Sequence, residues 1–260
     1  MTARPADAVT WWVSLRSPYS WLALHDGQRR HHDLLRTARW RVFFEPDAGL
    51  RAEAEAAGVT FPYTPMSRAK HLYILRDVAR LAAARGLTPT WPLDRAPDWT
   101  VPSLAVLAAG AGHCPGGPGG PDRSDADGRD GEECARALVL RLTRARWQEG
   151  RDIADREVVR RCAQEVGLPP AVADASTDPR WRAAGLDELR AVERDGVFGV
   201  PYVRVGREPF WGVDRLPAAT DALLRARAAD PARAAPDGAA ASVPAGAGAA
   251  APDGHAGGCG

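Results

Sequence analysis

The chain has 260 residues, with 34 basic and 33 acidic side chains giving a net charge of +1, and 45% of its residues are hydrophobic. A near-neutral surface offers no electrostatic ground for nucleic acid or an anionic membrane as a partner, and no apolar run approaches the roughly 20 residues of a membrane span. The polar N-terminus lacks the basic and apolar regions of a signal peptide, so the expected location is the cytoplasm, and the length suffices for one full core with or without an insert.

In chain order, residues 8–14 read as a first strand, 18–36 as a helix and 40–44 as a second strand. Residues 45–66 are rich in Ala, Gly and Pro and read as irregular, with a short helix allowed over 50–57. From Ser67 to Arg85 the spacing of Leu72, Leu75, Val78, Ala79 and Ala82 predicts one helical face, ended by Gly86. Residues 102–109 are predicted helical, and 110–131, full of Gly, Pro and Asp, a disordered insertion. Helices are expected near 132–149, 156–166 and 180–195, with Gly150 and Gly167 as stops and Asp155 as a cap. Tyr202 to Val205 is β-rich, Gly206-Arg207 marks a turn, and Pro209-Phe210-Trp211 suits an edge strand. Asp214 is read as the N-cap of a closing helix holding Leu216, Leu223 and Leu224, and the Ala/Gly/Pro-rich stretch from 228 to 260 as a disordered tail. Val200-Pro201, entering a strand from a Gly-rich approach, suggests a cis peptide.

Two features stand out for chemistry. Ser17-Pro18-Tyr19-Ser20 lies at the junction of the first strand and first helix. Pro18 suits a first helical turn, where its missing N–H costs nothing, and Ser17 falls at the N-cap. A Ser-Pro pair opening a helix is ordinary, so the tetrapeptide informs only together with the C-terminal half. The second feature is Lys70, the single lysine among the 34 basic residues. Cys114, Cys134, Cys162 and Cys259 show neither Cys-x-x-Cys nor metal-type spacing and read as reduced bystanders. His31-His32 reads as a solvated or rim pair rather than a metal site, and no metal is expected.

Four ordered segments resemble one family. Ser17-Pro18-Tyr19-Ser20-Trp21 is similar to the signature of kappa-class glutathione transferases. Gly196-Val197-Phe198-Gly199-Val200-Pro201 with Phe210-Trp211-Gly212-Val213-Asp214-Arg215-Leu216 resembles their relatives, the 2-hydroxychromene-2-carboxylate isomerases. Ala69 to Asp77 and Trp147 to Asp155 agree. The resemblance implies an α/β fold, a thioredoxin-like (DsbA-like) βαβ…ββα domain with an inserted all-helical domain. The thioredoxin-like parts are then 8–45 and 179–227, and the helical insertion domain 46–178.

The resemblance also implies a chemistry. Both positions of the usual Cys-x-x-Cys read serine here, so the chain itself shuttles no disulfide. Ser17 would instead steady the thiolate of an imported small thiol, glutathione or another. Val200 beside Pro201 would offer backbone groups to its cysteinyl part, and Val213, Asp214 and Arg215 would take its glutamyl end. Lys70, with Tyr73 and Tyr19, would hold an aromatic acid substrate, and Trp21, Phe44, Tyr73 and Trp211 are candidates for an aromatic lining, although core or rim is the commoner place for such residues. The activity implied is a thiol-dependent cis–trans isomerase. A kappa-like glutathione transferase or DsbA-family oxidoreductase, and a non-catalytic thioredoxin-fold binding protein, are the alternatives, and a homodimer is left open.

Overall fold

The computed structural model describes residues 8–62, 66–111 and 129–229. All five residues of strand β1 (Val9–Val13) are buried, as the centre of a sheet covered on both faces requires. Strand β2 (Ala38–Val42) pairs parallel to β1 with Trp11 opposite Trp40. It begins and ends two residues earlier than expected, with the Phe43 N–H donating to Val13 C=O at 2.7 Å just beyond it. Strand β3 (Tyr202–Val205) runs antiparallel on the other side of β1, and β4 (Glu208–Trp211) returns along β3, giving the order β2-β1-β3-β4. Pro209 is accommodated because β4 is the outer strand. The Val200-Pro201 peptide is cis.

The helix expected over 18–36 is two helices, α1 (Pro18–Arg30) and α2 (His32–Thr37), broken at His31. The break lets Leu24, Leu34 and Leu35 all reach the core around Trp11. Gly27 permits that approach: a Cβ there would stand 3.0 Å from Leu35 Cδ1 and 3.1 Å from the Trp11 ring. His31 Nδ1 meets Thr220 Oγ1 at 2.7 Å, an inter-helix bridge at the rim.

Between β2 and the return to the sheet come α3 (Ala48–Ala56), α4 (Arg68–Ala83), α5 (Thr100–Gly110), α6 (Arg129–Trp147), α7 (Arg156–Glu165) and a 3-10 turn at Pro170–Thr177. Then follow α8 (Pro179–Arg194), β3, β4, a 3-10 turn at Val213–Arg215 and α9 (Leu216–Ala229). Asp47, Ser67, Asp155 and Asp178 each accept a backbone N–H as side-chain N-caps of α3, α4, α7 and α8. Helix α3 is longer than the short helix allowed, and the 3-10 turn at 170–177 has no periodic pattern to announce it. The flanks of the presumed disordered insertion are helical: α5 reaches Gly110 and α6 starts at Arg129. The two helices touch at a pair of glycines, where a Cβ on Gly131 would collide with the Gly110 carbonyl. Residues 112–128 and 230–260 lie outside the described residues, while 228 and 229 belong to α9 rather than to a tail.

One apolar cluster runs from the Trp11 face of the sheet through α3, α5, α6 and α7, with Trp11 and Trp40 stacked at 5.4 Å. The Trp12 face packs on Ala191 and Val192 of α8, where Arg41 lies 4.8 Å over the Trp12 ring and pairs with the largely buried Glu188 at 2.8 Å. A third cluster joins Trp21 and Leu22 of α1 to Val78 and Ala82 of α4 and to Trp147. Cys162 is a free, buried thiol, whereas Cys134 is disulfide-bonded, against the expectation of four reduced cysteines. Nothing in the local spacing around Cys134 marks that bond, since a disulfide is set by distance in the fold. Among the described residues no helix is long and apolar enough to cross a membrane, and no group of three metal-ligating side chains forms.

Candidate functional site

The junction of β1 and α1 is built by two serines with different duties. Ser17 is the N-cap of α1, in extended conformation, and its Oγ accepts the Ser20 N–H at 3.3 Å. Capping uses an acceptor lone pair of the hydroxyl and leaves its proton to give. Among the described residues nothing accepts that proton. Ser20 is fully buried, and its Oγ accepts the Ser14 N–H at 3.2 Å, stapling the turn from inside. Pro18 carries no N–H, the Trp21 N–H is taken by the Ser17 carbonyl at 3.2 Å, and the Tyr19 N–H has no partner among the described residues. The half-exposed Ser17 hydroxyl and the Tyr19 amide are thus the two donors left at the positive end of α1.

The sheet brings the C-terminal half to the same place. Trp12 lies opposite Tyr202, so the end of β1 that leads into Ser17 lies beside the start of β3, immediately after cis Pro201. The Pro201 carbonyl accepts the Gly212 N–H at 3.0 Å, fastening the approach to the end of β4. The N–H and C=O of Val200 are used by no hydrogen bond among the described residues, an open backbone edge next to the serine turn. The turn at Val213–Arg215 packs against α1, and Val213 joins the cluster that contains Tyr19 and Trp21.

Asp214 sits inside the 3-10 turn Val213–Arg215 that precedes α9, a turn whose own N-cap is Gly212 with φ 109°, and among the described residues the Asp214 carboxylate accepts no capping backbone N–H. The Asp214 carboxylate folds back towards Gly212, so closely that a Cβ there would stand 2.7 Å from its Oδ1. Asp214 and Arg215 form an exposed, solvated ion pair at 3.2 Å.

Tyr19 points the other way, donating its phenol to Asp77 Oδ2 on α4 at 2.8 Å. Burial, then the bond to Asp77, raises the Tyr19 phenol well above its ordinary value, so it stays a donor. Burial works against ionisation of Asp77, but hydrogen bonds from Arg80 and Tyr19 hold its carboxyl low. Tyr73 is exposed, with Arg80 stacked 5.9 Å from its ring. Lys70 lies in the exposed first turn of α4, where its backbone N–H is capped by Ser67, and its ammonium has no partner among the described residues.

The expected aromatic lining separates. Trp21 and Phe44 are core residues, 3% exposed each, and Trp21 stacks on Trp147. Trp211 and Tyr73 are more than half exposed, and Trp211 pairs with the exposed Phe198 at 4.9 Å. Arg16, the neighbour of Ser17, faces a cavity of about 630 Å³ that sequence reasoning missed. Its walls, Glu45, Asp47, Arg51, Asp94 and Trp99 among them, come from segments far apart in the chain, and only the adjacency of Arg16 to Ser17 hinted at it.

Comparisons with known proteins fit this geometry. A family model described as a DSBA-like thioredoxin domain matches residues 129–224. A 2-hydroxychromene-2-carboxylate isomerase of Sphingobium xenophagum is 29% identical over 208 residues, covering 77% of this chain and 89% of that protein. A solved 2-hydroxychromene-2-carboxylate isomerase superposes with a TM-score of 0.64 at 21% identity, over 86% of this chain and 98% of that one. A probable DsbA oxidoreductase of Streptomyces coelicolor gives 0.53 at 18% identity, over 85% and 89%. The chain carries the DsbA-like thioredoxin fold and is similar along most of its length to 2-hydroxychromene-2-carboxylate isomerases.

Proposed function

We propose that the chain is a cis–trans isomerase that uses a small thiol, glutathione or a close equivalent, on an aromatic enone acid. The observation that carries this reading is the pair of unspent donors in the first turn of α1, the Ser17 hydroxyl proton and the Tyr19 N–H, at the junction where related folds keep cysteine sulfur. Such a thiol, when bound, supplies a nucleophile that adds reversibly to a conjugated enone, so that the former double bond can turn before the sulfur leaves again. The chain's residues do the rest. A free thiol titrates at about pH 8.5 and is mostly protonated at neutrality. The helix terminus and one hydroxyl donor supply about 1 kcal/mol each towards the anion.

Val200 suits the thiol's peptide-like backbone, since its own N–H and C=O are unspent and strand β3 begins at Tyr202, just past cis Pro201. Asp214 and Arg215, already paired with each other in solvent, would exchange partners with an amino-acid end carrying one ammonium and one carboxylate. Lys70 contributes attraction of an acidic substrate from its exposed place on α4. Disulfide exchange by this motif is chemically closed, because Ser17 and Ser20 offer no sulfur to oxidise.

The experiment is calorimetry with glutathione on the purified chain and on Ser17→Ala, followed by turnover with a conjugated aromatic enone acid at substoichiometric thiol. Losing a hydrogen bond to a charged sulfur should weaken thiolate binding about tenfold or more in Ser17→Ala, and the wild type should isomerise many substrate molecules per thiol. A chain that binds no small thiol would overturn the reading. Consumption of one thiol per substrate would move it to a transferase.

A further inference from the structure

The cavity beside Arg16 is walled by Arg16 from the β1–α1 turn, Glu45 to Ala48 and Arg51 from the approach to and start of α3, and Asp94 with Pro97 to Trp99 from the segment before α5. Its framework is braced by two paired arginines. Arg182 on α8 holds Asp47 through both nitrogens, at 2.7 and 3.0 Å, and this bond is the first cause of a lowered Asp47 carboxyl. Arg146 on α6, 2% exposed in its side chain, holds Asp94 at 2.8 Å through each nitrogen. The Arg146 guanidinium also lies 4.7 Å from the Trp99 ring and 5.0 Å from that of Trp147, which fixes Trp99 as a wall. Asp98 accepts the Thr100 N–H at 2.9 Å at the head of α5. These three acids therefore serve the walls.

The remaining charges are arranged differently. The carboxylate of Glu45 is divided between two guanidinium groups: one oxygen on Arg16 at 3.1 Å and the other on Arg51 at 3.2 Å. Both arginines are partly exposed, 41% and 51% in their side chains. The Arg16 guanidinium also lies 5.8 Å from the Trp99 ring centroid. Two planar donors spread around one carboxylate, beside an indole and two prolines, match a ligand with a carboxylate at one end and a flat apolar body. A volume of about 630 Å³ suits a small aromatic acid.

We propose that this cavity receives the carboxylate of a small aromatic acid between Arg16 and Arg51, with its ring against Trp99, and that Glu45 is the internal carboxylate it displaces. The proposal rests on the isomerase reading for its link to the reaction, because Arg16 adjoins Ser17 in the chain. It moves the substrate's acidic group from Lys70 to the cavity. Glu45 then sets selectivity: it keeps the two guanidinium groups spread and ready, and it competes with any ligand of the same charge.

The test is titration of the full chain, with no thiol present, with trans-cinnamate, the neutral cinnamamide and the cationic cinnamylamine, followed by calorimetry and tryptophan fluorescence. Cinnamate should bind and cinnamamide should bind at least about tenfold more weakly. Arg51→Gln should weaken cinnamate by about tenfold, whereas Glu45→Gln should tighten it, a gain that misfolding cannot imitate. An unchanged affinity in Arg51→Gln, a loss in Glu45→Gln, or cinnamylamine binding as tightly as cinnamate would overturn the proposal. The two readings fail separately. A chain that ignores glutathione but takes cinnamate in an Arg51-dependent way loses the isomerase reading and keeps the cavity; one that binds glutathione at Ser17 but refuses cinnamate does the reverse.

Discussion

The two flanks of Ser17 are built on opposite plans. On the Arg16 side, charges from five separate segments are tied across the fold: Asp47 to Arg182, Asp94 to Arg146, and Glu45 to Arg16 and Arg51. On the Tyr19 side a single helix, α4, stands over α1 and is tied to it by Tyr19–Asp77 and by Arg85, just past its end, which holds Asp26 through three contacts of 2.6 to 3.0 Å. The half of α4 beyond those ties, with Lys70, Leu72 and Tyr73, is exposed. The Arg16 flank is thus braced from several elements at once, whereas α4 is tied to α1 through its second half, by way of Tyr19 of the serine turn and Asp26, so its exposed first half is the more adjustable part.

The strongest way to break the contrast is to cut the deeper of the two ties. Asp26 and Arg85 are only 9% and 14% exposed in their side chains, so removing one partner strands the other charge in a poorly solvated place. Asp26→Ala is expected to cost about 3 kcal/mol of stability. Urea melts followed by tryptophan fluorescence check it, and a loss below about 1 kcal/mol would mean that apolar packing of Val78 and Ala82 on Trp21 and Leu22 alone seats α4.

The second tie gives a smaller effect with a pH signature. Tyr19→Phe removes one hydrogen bond to Asp77 and should cost about 1 kcal/mol near neutrality. The folded chain holds the Tyr19 proton more tightly than the unfolded chain does, first through burial and then through Asp77. Unfolding therefore releases that proton above about pH 10, and stability falls as pH rises through the alkaline range. The Phe variant should lack this part of the alkaline decline. Melting curves of both proteins at neutral and alkaline pH decide the point, and parallel declines would show that Tyr19 is not held as the geometry indicates.

Much of this molecule was legible from local rules. The apolar run at β1, the Asp155 cap, the edge-strand proline at 209 and the turn at Gly206-Arg207 all follow from what single residues do to a backbone. Ser17 was legible as a cap for the same reason. The misses are the features that need tertiary contact. Asp214 looks like the cap of α9 until a 3-10 turn over Val213–Arg215 takes it in before that helix begins, and the helix over 18–36 looks continuous until Trp11 and Leu35 meet at Gly27. The cavity was invisible because Glu45, Arg51 and Trp99 carry no motif, and only the fold sets them around Arg16.

Lys70 is the finest discriminator between the flanks, because sequence and structure give it different weight. As the lone lysine in a segment resembling an isomerase it was the natural partner for a substrate carboxylate, yet it stands exposed on the free half of α4. A solvated ammonium attracts an acid through high-dielectric, salt-screened space and gains little when the acid arrives. Lys70→Ala should therefore leave stability within about 0.5 kcal/mol and lower kcat/KM by no more than about threefold, with the difference fading as salt is added. A rise in KM of about tenfold or more that persists at high salt would mean that α4 closes on the substrate and that Lys70 makes direct contact. The adjustable flank would then be the one that recognises the acid, and the braced cavity at Arg16 would lose that role.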